Sequence, residues 1–168
     1  MLQTPQMPEV IFDTNVLSNF ALTGRLDLLH KLYPASACCT FSVVAEINSG
    51  LRKGQCGLAP LSGIKDSGWP SLLVLTESEL KLQEILLISL GVGESSCIAV
   101  AAHSNMIFAC DDQLARKEAT RLTILLTGTI GILMKAIRLG LINNSNANEL
   151  LQEMVRQGFY SPMQRIEL

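Results

Sequence analysis

The stretch Val10-Ile11-Phe12-Asp13-Thr14-Asn15 decides how the chain folds. Its first three residues form a short apolar run with two β-branched side chains, which predicts a buried strand. An acid follows the run directly. Residues 16–32 then place apolar side chains at helical spacing, with a break at Thr23-Gly24 that predicts two helices. A strand that passes straight into a helix is the first unit of an α/β fold, and Asp13 is expected at the junction.

The same alternation continues along the chain. Further strands are predicted at residues 37–41, 71–76, 106–110 and 123–126, and further helices after Ser42, at residues 77–90, at about 94–103, after Asp112 and from Thr127 to Leu139. Residues 50–70 hold glycines, two prolines and the single Trp69 with little periodicity, which predicts a loop or an insertion. Strands separated by helices of this length pair in parallel through right-handed crossovers, so we expect one parallel sheet.

Length and composition bound the class of protein. With 168 residues, 48% hydrophobic, 17% charged and a net charge of −2, the chain is expected to form a single domain over residues 1–168. No signal peptide or membrane span is predicted, and cysteines mostly within apolar runs favour reduced thiols. We therefore expect a cytoplasmic protein with no membrane partner. The charge balance argues against a chain coated in basic patches but does not exclude nucleic acid.

Carboxylates recur where strands give way to helices. Besides Asp13, Glu46 and Glu94 fall early in predicted helices, and Asp111-Asp112 follow a strand. In a parallel sheet these positions share one edge, where ligands usually bind. Crowded carboxylates repel one another unless they are protonated or neutralised by a cation, and oxygen ligands suit Mg²⁺ or Mn²⁺. The pattern predicts a metal site for phosphodiester hydrolysis, although each acid taken alone is also explained as a helix cap or a first-turn charge.

Polar and basic side chains near these acids are candidates for contacts with substrate. Thr14 and Asn15 offer a hydroxyl and an amide directly after the first acid. Arg116 lies in a charged helix after the last two acids, where it is placed to meet an RNA backbone. Thr127 and Thr129 stand at a helix start whose backbone N–H groups can bind phosphate. A solvated helix face and a plain helix cap explain the last two features as well.

These motifs, in this order, resemble those of one known family. The residues that carry the resemblance are Phe12-Asp13-Thr14-Asn15, Ser42 to Ile47, Gly93-Glu94 with Ile98, Ala99 and Ala101, Asp111-Asp112 with Ala115-Arg116, and Thr127 to Leu133. The chain is similar over about residues 9–160 to the PIN-domain family of metal-dependent nucleases. Within that family it looks like an uncharacterised group of prokaryotic PIN-like proteins.

The resemblance implies a three-layer α/β/α PIN-like fold with a central parallel sheet of about five strands. It also implies RNA cleavage that depends on Mg²⁺ or Mn²⁺, carried out by a VapC-like toxin with a cognate antitoxin and often as a homodimer. By position, Asp13 and Glu46 correspond to the first two metal-site acids and Glu94 to the third. The fourth is Asp111 or Asp112, and the resemblance leaves that choice open.

Two other functions stay open at this point. Family members more often have their third acid where this chain has Ser95 and Ser96, and a threonine or serine where it has Cys110. These departures favour a PIN-like RNA- or protein-binding module without catalysis. Residues 12–15 also resemble the first motif of haloacid-dehalogenase-like phosphatases. Those enzymes need a second acid where this chain has Asn15, and a positioned lysine before the late acids, for which the chain offers no clear candidate.

Overall fold

A five-stranded sheet forms the centre of the protein. The computed structural model describes residues 9–168. Within them the strands are β1 (Val10–Phe12), β2 (Ala37–Thr40), β3 (Ser71–Leu73), β4 (Ile107–Ala109) and β5 (Leu126–Thr127). Neighbouring strands all run parallel, in the order β3-β2-β1-β4-β5. The parallel sheet of about five strands expected from the sequence is confirmed.

Helices connect the strands and form the two outer layers. They are α1 (Thr14–Leu22), α2 (Leu26–Leu32), α3 (Phe41–Arg52), α4 (Ile64–Ser67), α5 (Glu77–Leu86), α6 (Val92–Ser104), α7 (Gln113–Arg121), α8 (Thr129–Arg138) and α9 (Asn144–Arg156). α6 packs on β1, β2 and β4 between α5 and α7. α1, α2, α8 and α9 contact one another. Right-handed crossovers place these two groups on opposite faces of the sheet, which gives the three-layer α/β/α fold.

The core lies on both faces of the sheet. All three residues of β1 are buried, because helices cover the sheet on each side, and a strand buried on both faces has no polar alternation. Phe12 and Phe108 from the central strands, Ile98 from α6 and Ile132 from α8 are fully buried within one contiguous apolar cluster. Across residues 9–168, none of the helices combines the length and the apolar character that crossing a membrane requires.

The segment predicted as a loop or an insertion is folded onto the core. It contains a 3₁₀ helix, Cys56–Leu61, that contacts α1 and α3, followed by α4. Leu58, Leu61 and Ile64 are its buried residues, and their spacing of three matches the 3.0-residue turn of a 3₁₀ helix. The missed signal was therefore a period of three, which is neither the helical period of 3.6 nor the strand period of two.

Some element ends also differ from the prediction. The N-cap of α3 is Thr40, whose hydroxyl accepts from the N–H of Val43, and not Ser42. β3 and β5 are shorter than expected, and Gly128 rather than Thr127 precedes α8. Each of these junctions offers several residues with a suitable side chain, so sequence places the junction to within a few residues only.

The chain after α9 is attached to the body of the protein at two points. Phe159 is 8% exposed, and its N–H donates to the carbonyl of Met154 at 2.9 Å. Ile166 is 1% exposed, and the side chain of Asn148 holds its backbone, donating to its carbonyl at 3.0 Å and accepting from its N–H at 2.7 Å. Residues 159–166 therefore have a defined path along the surface.

Replacement of Asn148 with alanine tests this attachment. We expect Asn148→Ala to lower the free energy of unfolding by about 1–2 kcal/mol, because two backbone groups of Ile166 lose their partner. Amide hydrogen exchange at Ile166 should also become faster. Asn146→Ala is the matched control, since Asn146 is exposed on the same helix. Equal effects of the two substitutions in denaturant titration would contradict this account.

Candidate active site

Asp13 and the pair Asp111-Asp112 lie at the same edge of the sheet. β1 and β4 pair in parallel with Phe12 opposite Ala109, so the two strands end together. The backbone N–H of Asp13 donates to the carbonyl of Ala109 at 3.0 Å and keeps the strand ends in contact. The strand order also reverses here, since β2 lies on one side of β1 and β4 on the other. Ligand sites in parallel sheets form at such switch points.

Glu46 reaches this edge from α3. Its Oε2 accepts a hydrogen bond from the Thr14 hydroxyl, and its Oε1 accepts from the backbone N–H of Gly93 at 2.9 Å. A Cβ atom at position 93 would lie 2.5 Å from Oε2 of Glu46, so this close approach requires a glycine. The carboxylate is therefore held between the first turns of α1 and α6.

Glu94 lies in the first turn of α6. The sequence predicted a break at residues 91–93, but the helix begins at Val92 with Gly91 as its N-cap. Oε2 of Glu94 accepts from the N–H of Gly91 at 2.9 Å, and this contact closes the first turn despite the glycines. Burial raises the pKa of Glu94, and the nearby charges of Asp112 and Glu46 raise it further.

Asp13 is the most buried carboxylate of the group, with 1% exposure. Burial first, and then the charge of Glu94, raise the pKa of Asp13 to about 7. Glu46 adds to the shift, and the nearby backbone N–H groups of Thr14 and Asn15 oppose it. Without a counter-charge, Asp13 is therefore about half protonated at neutral pH.

Cys110 stands beside Asp13, at the position where the resemblance described above implies a serine or threonine. Its Sγ lies 3.9 Å from Oδ2 of Asp13. Burial and the charge of Asp13 raise the pKa of the thiol, so it stays neutral at pH 7. A neutral thiol can donate weakly to the carboxylate, which is the contact that a serine or threonine would make more strongly.

Asp111 and Asp112 have different surroundings although they are adjacent. Asp111 accepts from the N–H of Thr129 at 2.8 Å, from its hydroxyl at 2.6 Å and from the amide of Asn19 at 3.2 Å. Oδ1 of Asp112 accepts from the N–H of Ala115 at 2.8 Å and caps α7. Oδ2 of Asp112 makes no hydrogen bond to any residue between 9 and 168. Asp111 thus joins β4 to α8, whereas Asp112 keeps one oxygen available for a ligand.

The candidate substrate-binding residues divide into two groups. Nη1 of Arg116 donates to the carbonyls of Cys110 at 2.7 Å and Thr127 at 2.8 Å, tying the ends of β4 and β5 together. Thr129 is fully buried against Asp111, and the Thr14 hydroxyl is used on Glu46, so these three residues make positioning contacts inside the protein. Asn15 is exposed at the edge of the site and Thr127 is half-buried.

Asn19 is a site residue that the sequence reasoning missed. Its amide donates both to Asp111 and, at 3.0 Å, to the hydroxyl of Thr129. The available signal was its position one helical turn after Asn15, on the helix that starts at Asp13. A polar side chain repeated at that spacing marks the helix face that turns toward the strand ends.

Ser95 and Ser96 stand at the positions where the resemblance described above would more often imply the third acid. Both are fully buried. The Ser95 hydroxyl donates to the carbonyl of Val92 at 3.1 Å. That of Ser96 donates to the carbonyl of Gly93 at 2.7 Å and lies 2.7 Å from the Thr40 hydroxyl. Ser96 thus attaches α6 to Thr40 at the start of α3, whereas Ser95 bonds within α6, and Glu94 is the partly accessible acid of this turn.

A groove of about 1000 Å³ opens beside the acids. It begins at Asn15, Asp111 and Asp112, passes the starts of α7 and α8, and ends at residues 158–162. Its lining carries two carboxylates and the guanidinium of Arg116. The groove is thus an open, acidic approach to the carboxyl ends of β1 and β4.

The donor chemistry of this edge fits a hard divalent cation. The charges of Glu94 and Glu46 raise the pKa of Asp13, and those of Asp112 and Glu46 raise the pKa of Glu94, and a cation would remove that cost. Within residues 9–168, no three Asp, Glu, His or Cys side chains form a group already arranged to hold a metal. Mg²⁺ keeps several waters and needs only one or two carboxylates, so the residues present suit it.

The protein is a three-layer α/β/α protein, with acids at the point where the strand order of its parallel sheet reverses. The comparison with known families then identifies the family. A family model described as a PIN domain, DUF3368, matches residues 9–168, and the chain belongs to that family. No protein of curated function matches the chain.

Asp13→Asn tests the buried charge through the pH dependence of stability without metal. An acid whose folded pKa is raised destabilises the fold increasingly from about pH 4 to about pH 7 and by a constant amount above that. The asparagine variant should therefore be more stable than wild type by up to about 4 kcal/mol at about pH 8, with a smaller gain at about pH 5. The check is denaturant unfolding in EDTA, with exposed Asp66→Asn as the control. A pH-independent difference would show that the pKa of Asp13 is not raised.

Asp111→Asn and Asp112→Asn form a matched pair. Asp111→Asn replaces one carboxylate oxygen, which accepts hydrogen bonds from Thr129 and Asn19, with an NH₂ group that cannot accept them. We therefore expect it to lower the free energy of unfolding by about 1–3 kcal/mol. Asparagine caps helices as well as aspartate does, so the second should change stability by less than about 0.5 kcal/mol. Denaturant titrations of the two variants at one pH provide the comparison. The reverse order of destabilisation would contradict the assigned contacts.

Proposed function

We propose that the protein is a divalent-metal-dependent endoribonuclease whose site is formed by Asp13, Glu46, Glu94 and Asp112. The observation that supports the proposal most strongly is the buried carboxylate of Asp13, raised to a pKa of about 7 by its burial and its acidic neighbours. A fold has no structural need for such a group, which costs stability when it is charged. Perturbed carboxylates of this kind concentrate at functional sites.

Each residue has a part in this proposal that follows from its contacts. Asp13 and Asp112 offer oxygens at the strand ends, and Glu46 is held in place by Thr14 and Gly93. Bound Mg²⁺ or Mn²⁺ would supply positive charge for the phosphodiester and a water of lowered pKa. Asp111 acts as a positioning residue, because it accepts three hydrogen bonds from Thr129 and Asn19, whereas Glu46 accepts two and keeps lone pairs for a ligand.

The PIN-domain family and the groove support RNA as the substrate. The family is one of nucleases, and the groove is open along its length, which suits a chain molecule better than a small phosphate ester. A phosphatase is less well supported, since the position that would need a second acid holds the exposed amide of Asn15. The binding-module alternative rests on Cys110, Ser95 and Ser96. Both serines make structural contacts, Ser95 within α6 and Ser96 with Thr40 at the start of α3, and the four acids remain in place.

We also propose that the protein is the toxin of a toxin–antitoxin pair. An antitoxin would need a surface beside the acidic edge, and the hairpin of α5 and α6 offers one. Leu80, Ile85, Ile88 and Val92 are exposed apolar residues on or between these helices, and Ile88 is 87% exposed. Val92 is two residues from Glu94, so a partner chain packed on this apolar surface would cover the approach to the site.

The central experiment is RNA cleavage by the purified protein in Mn²⁺. Wild type should cut a mixed single-stranded RNA, whereas EDTA, Asp13→Asn and Asp112→Asn should each reduce the rate at least about 100-fold, as expected when a metal-ion site is lost. Asp66→Asn, which removes an exposed carboxylate outside the site, is the control for purification and for the loss of one negative charge. Cleavage by Asp13→Asn at the wild-type rate would refute the assignment, and a folded wild type that cuts no RNA would favour the binding module.

A further inference from the structure

The groove continues well beyond the acids. From Asn15 and Asp112 it extends past Gly128 and Gly131, at the start of α8, to the segment 158–162 after α9. The distal part of its wall is formed by Gly158, Phe159, Tyr160 and Pro162, which take no part in the site described above. A polymer bound at the acids would have to follow this wall on one side.

The electrostatics of the groove decide how such a polymer could be held. Its lining carries two carboxylates, Asp111 and Asp112, and a single guanidinium, that of Arg116. Nη1 of Arg116 is already engaged with two backbone carbonyls. Phosphates therefore find little positive charge in this lining. The group in this lining that can hold a nucleotide without positive charge is an aromatic ring, on which a base can stack.

Tyr160 supplies the surface that bases require. Among the Phe, Tyr and Trp residues of the described chain, Tyr160 at 87% and Phe41 at 46% are exposed, and Tyr160 is the one that lines the groove. An exposed aromatic ring leaves apolar surface in contact with water, which is unfavourable. A stacked base would cover that surface. Any base presents a flat π face, so stacking needs no particular sequence.

The backbone beneath Tyr160 is fixed before any ligand binds. Phe159 is buried, and its N–H is bonded to Met154. Further along, the clamp between Asn148 and Ile166 holds the other end of the segment. Binding to the ring therefore costs little ordering of the backbone, which favours affinity.

We propose that Tyr160 is a stacking platform for a base of single-stranded RNA that lies in this groove with its backbone at the acids. The amides of Asn15 and Gln113, both exposed in the lining, are placed to meet base edges or ribose along the way. The proposal rests on the proposed function for the identity of the ligand as RNA. It makes the enzyme selective for unpaired RNA, because a paired base cannot present its face to the ring.

The test measures binding separately from cleavage. Fluorescence anisotropy in EDTA and low salt follows a labelled adenosine decamer and an abasic ribose-phosphate decamer of the same length. Wild type should prefer the decamer with bases, and Tyr160→Ala should weaken its binding about tenfold and lose the preference. Tyr160→Phe should bind like wild type, since it keeps the ring. Met163→Ala, an exposed residue of the same segment outside the lining, is the matched control.

A second readout locates the contact. RNA that carries 5-iodouridine should cross-link to the peptide containing Tyr160 on irradiation, and the cross-link should disappear in Tyr160→Ala. Thermal melting of the variants verifies the fold, which an exposed side chain should not affect. Tyr160→Ala that keeps wild-type affinity, Tyr160→Phe that binds as weakly as Tyr160→Ala, or a wild type that ignores the bases would each overturn the stacking proposal.

The outcomes separate this proposal from the nuclease proposal. Binding that depends on Tyr160 together with no cleavage in Mn²⁺ would leave the platform standing and refute the nuclease. Cleavage abolished by EDTA and Asp13→Asn, but binding indifferent to Tyr160, would support the nuclease and refute the platform.

Discussion

The parallel pairing of β1 with β4 is the constraint on which the site depends. It ends both strands at one level and brings Asp13 next to Cys110, at the edge of the sheet from which Asp111 and Asp112 also start. Asp13 has almost no contact with water there, so its charge can be relieved only by a proton or by a cation. The elements that follow are arranged around that carboxylate: α1 and α3 bring Thr14 and Glu46, and α6 brings Glu94.

The surrounding structure keeps these acids separate and fixed. Gly93 is needed because any side chain at that position would displace Glu46. Gly128 is needed for a similar reason, since a Cβ there would lie 2.6 Å from Oδ1 of Asp111. Asp111 serves the scaffold so that Asp112 can remain partly free. The buried charge of Asp13 lowers the free energy of unfolding, and the contacts around it raise that free energy. Functional sites commonly reduce stability in this way.

The sequence predicted the order of the elements and the parallel sheet because buried strands and amphipathic helices have clear periods. It also indicated the positions of the five acids, because each stands at an end of an element. It could not separate Asp111 from Asp112, since that difference depends on Thr129 and Asn19, which are distant in sequence. The helices within residues 50–70 were not predicted, because their apolar residues recur every three positions. Helix α9 was not predicted either, because the pattern after Gly140 was a weaker signal. The role of Tyr160 could not be predicted, because the groove that it lines exists only in the folded chain.

The most direct test of the central claim is the proton balance of metal binding. Isothermal titration of Mn²⁺ into wild type and Asp13→Asn, in two buffers of different ionisation enthalpy at about pH 6, gives both the affinity and the protons released. The account predicts that wild type binds Mn²⁺ and releases about one proton, because Asp13 must ionise to hold the metal, and that Asp13→Asn binds far more weakly with no release. Equal affinity in the two proteins, with no proton released by either, would contradict it.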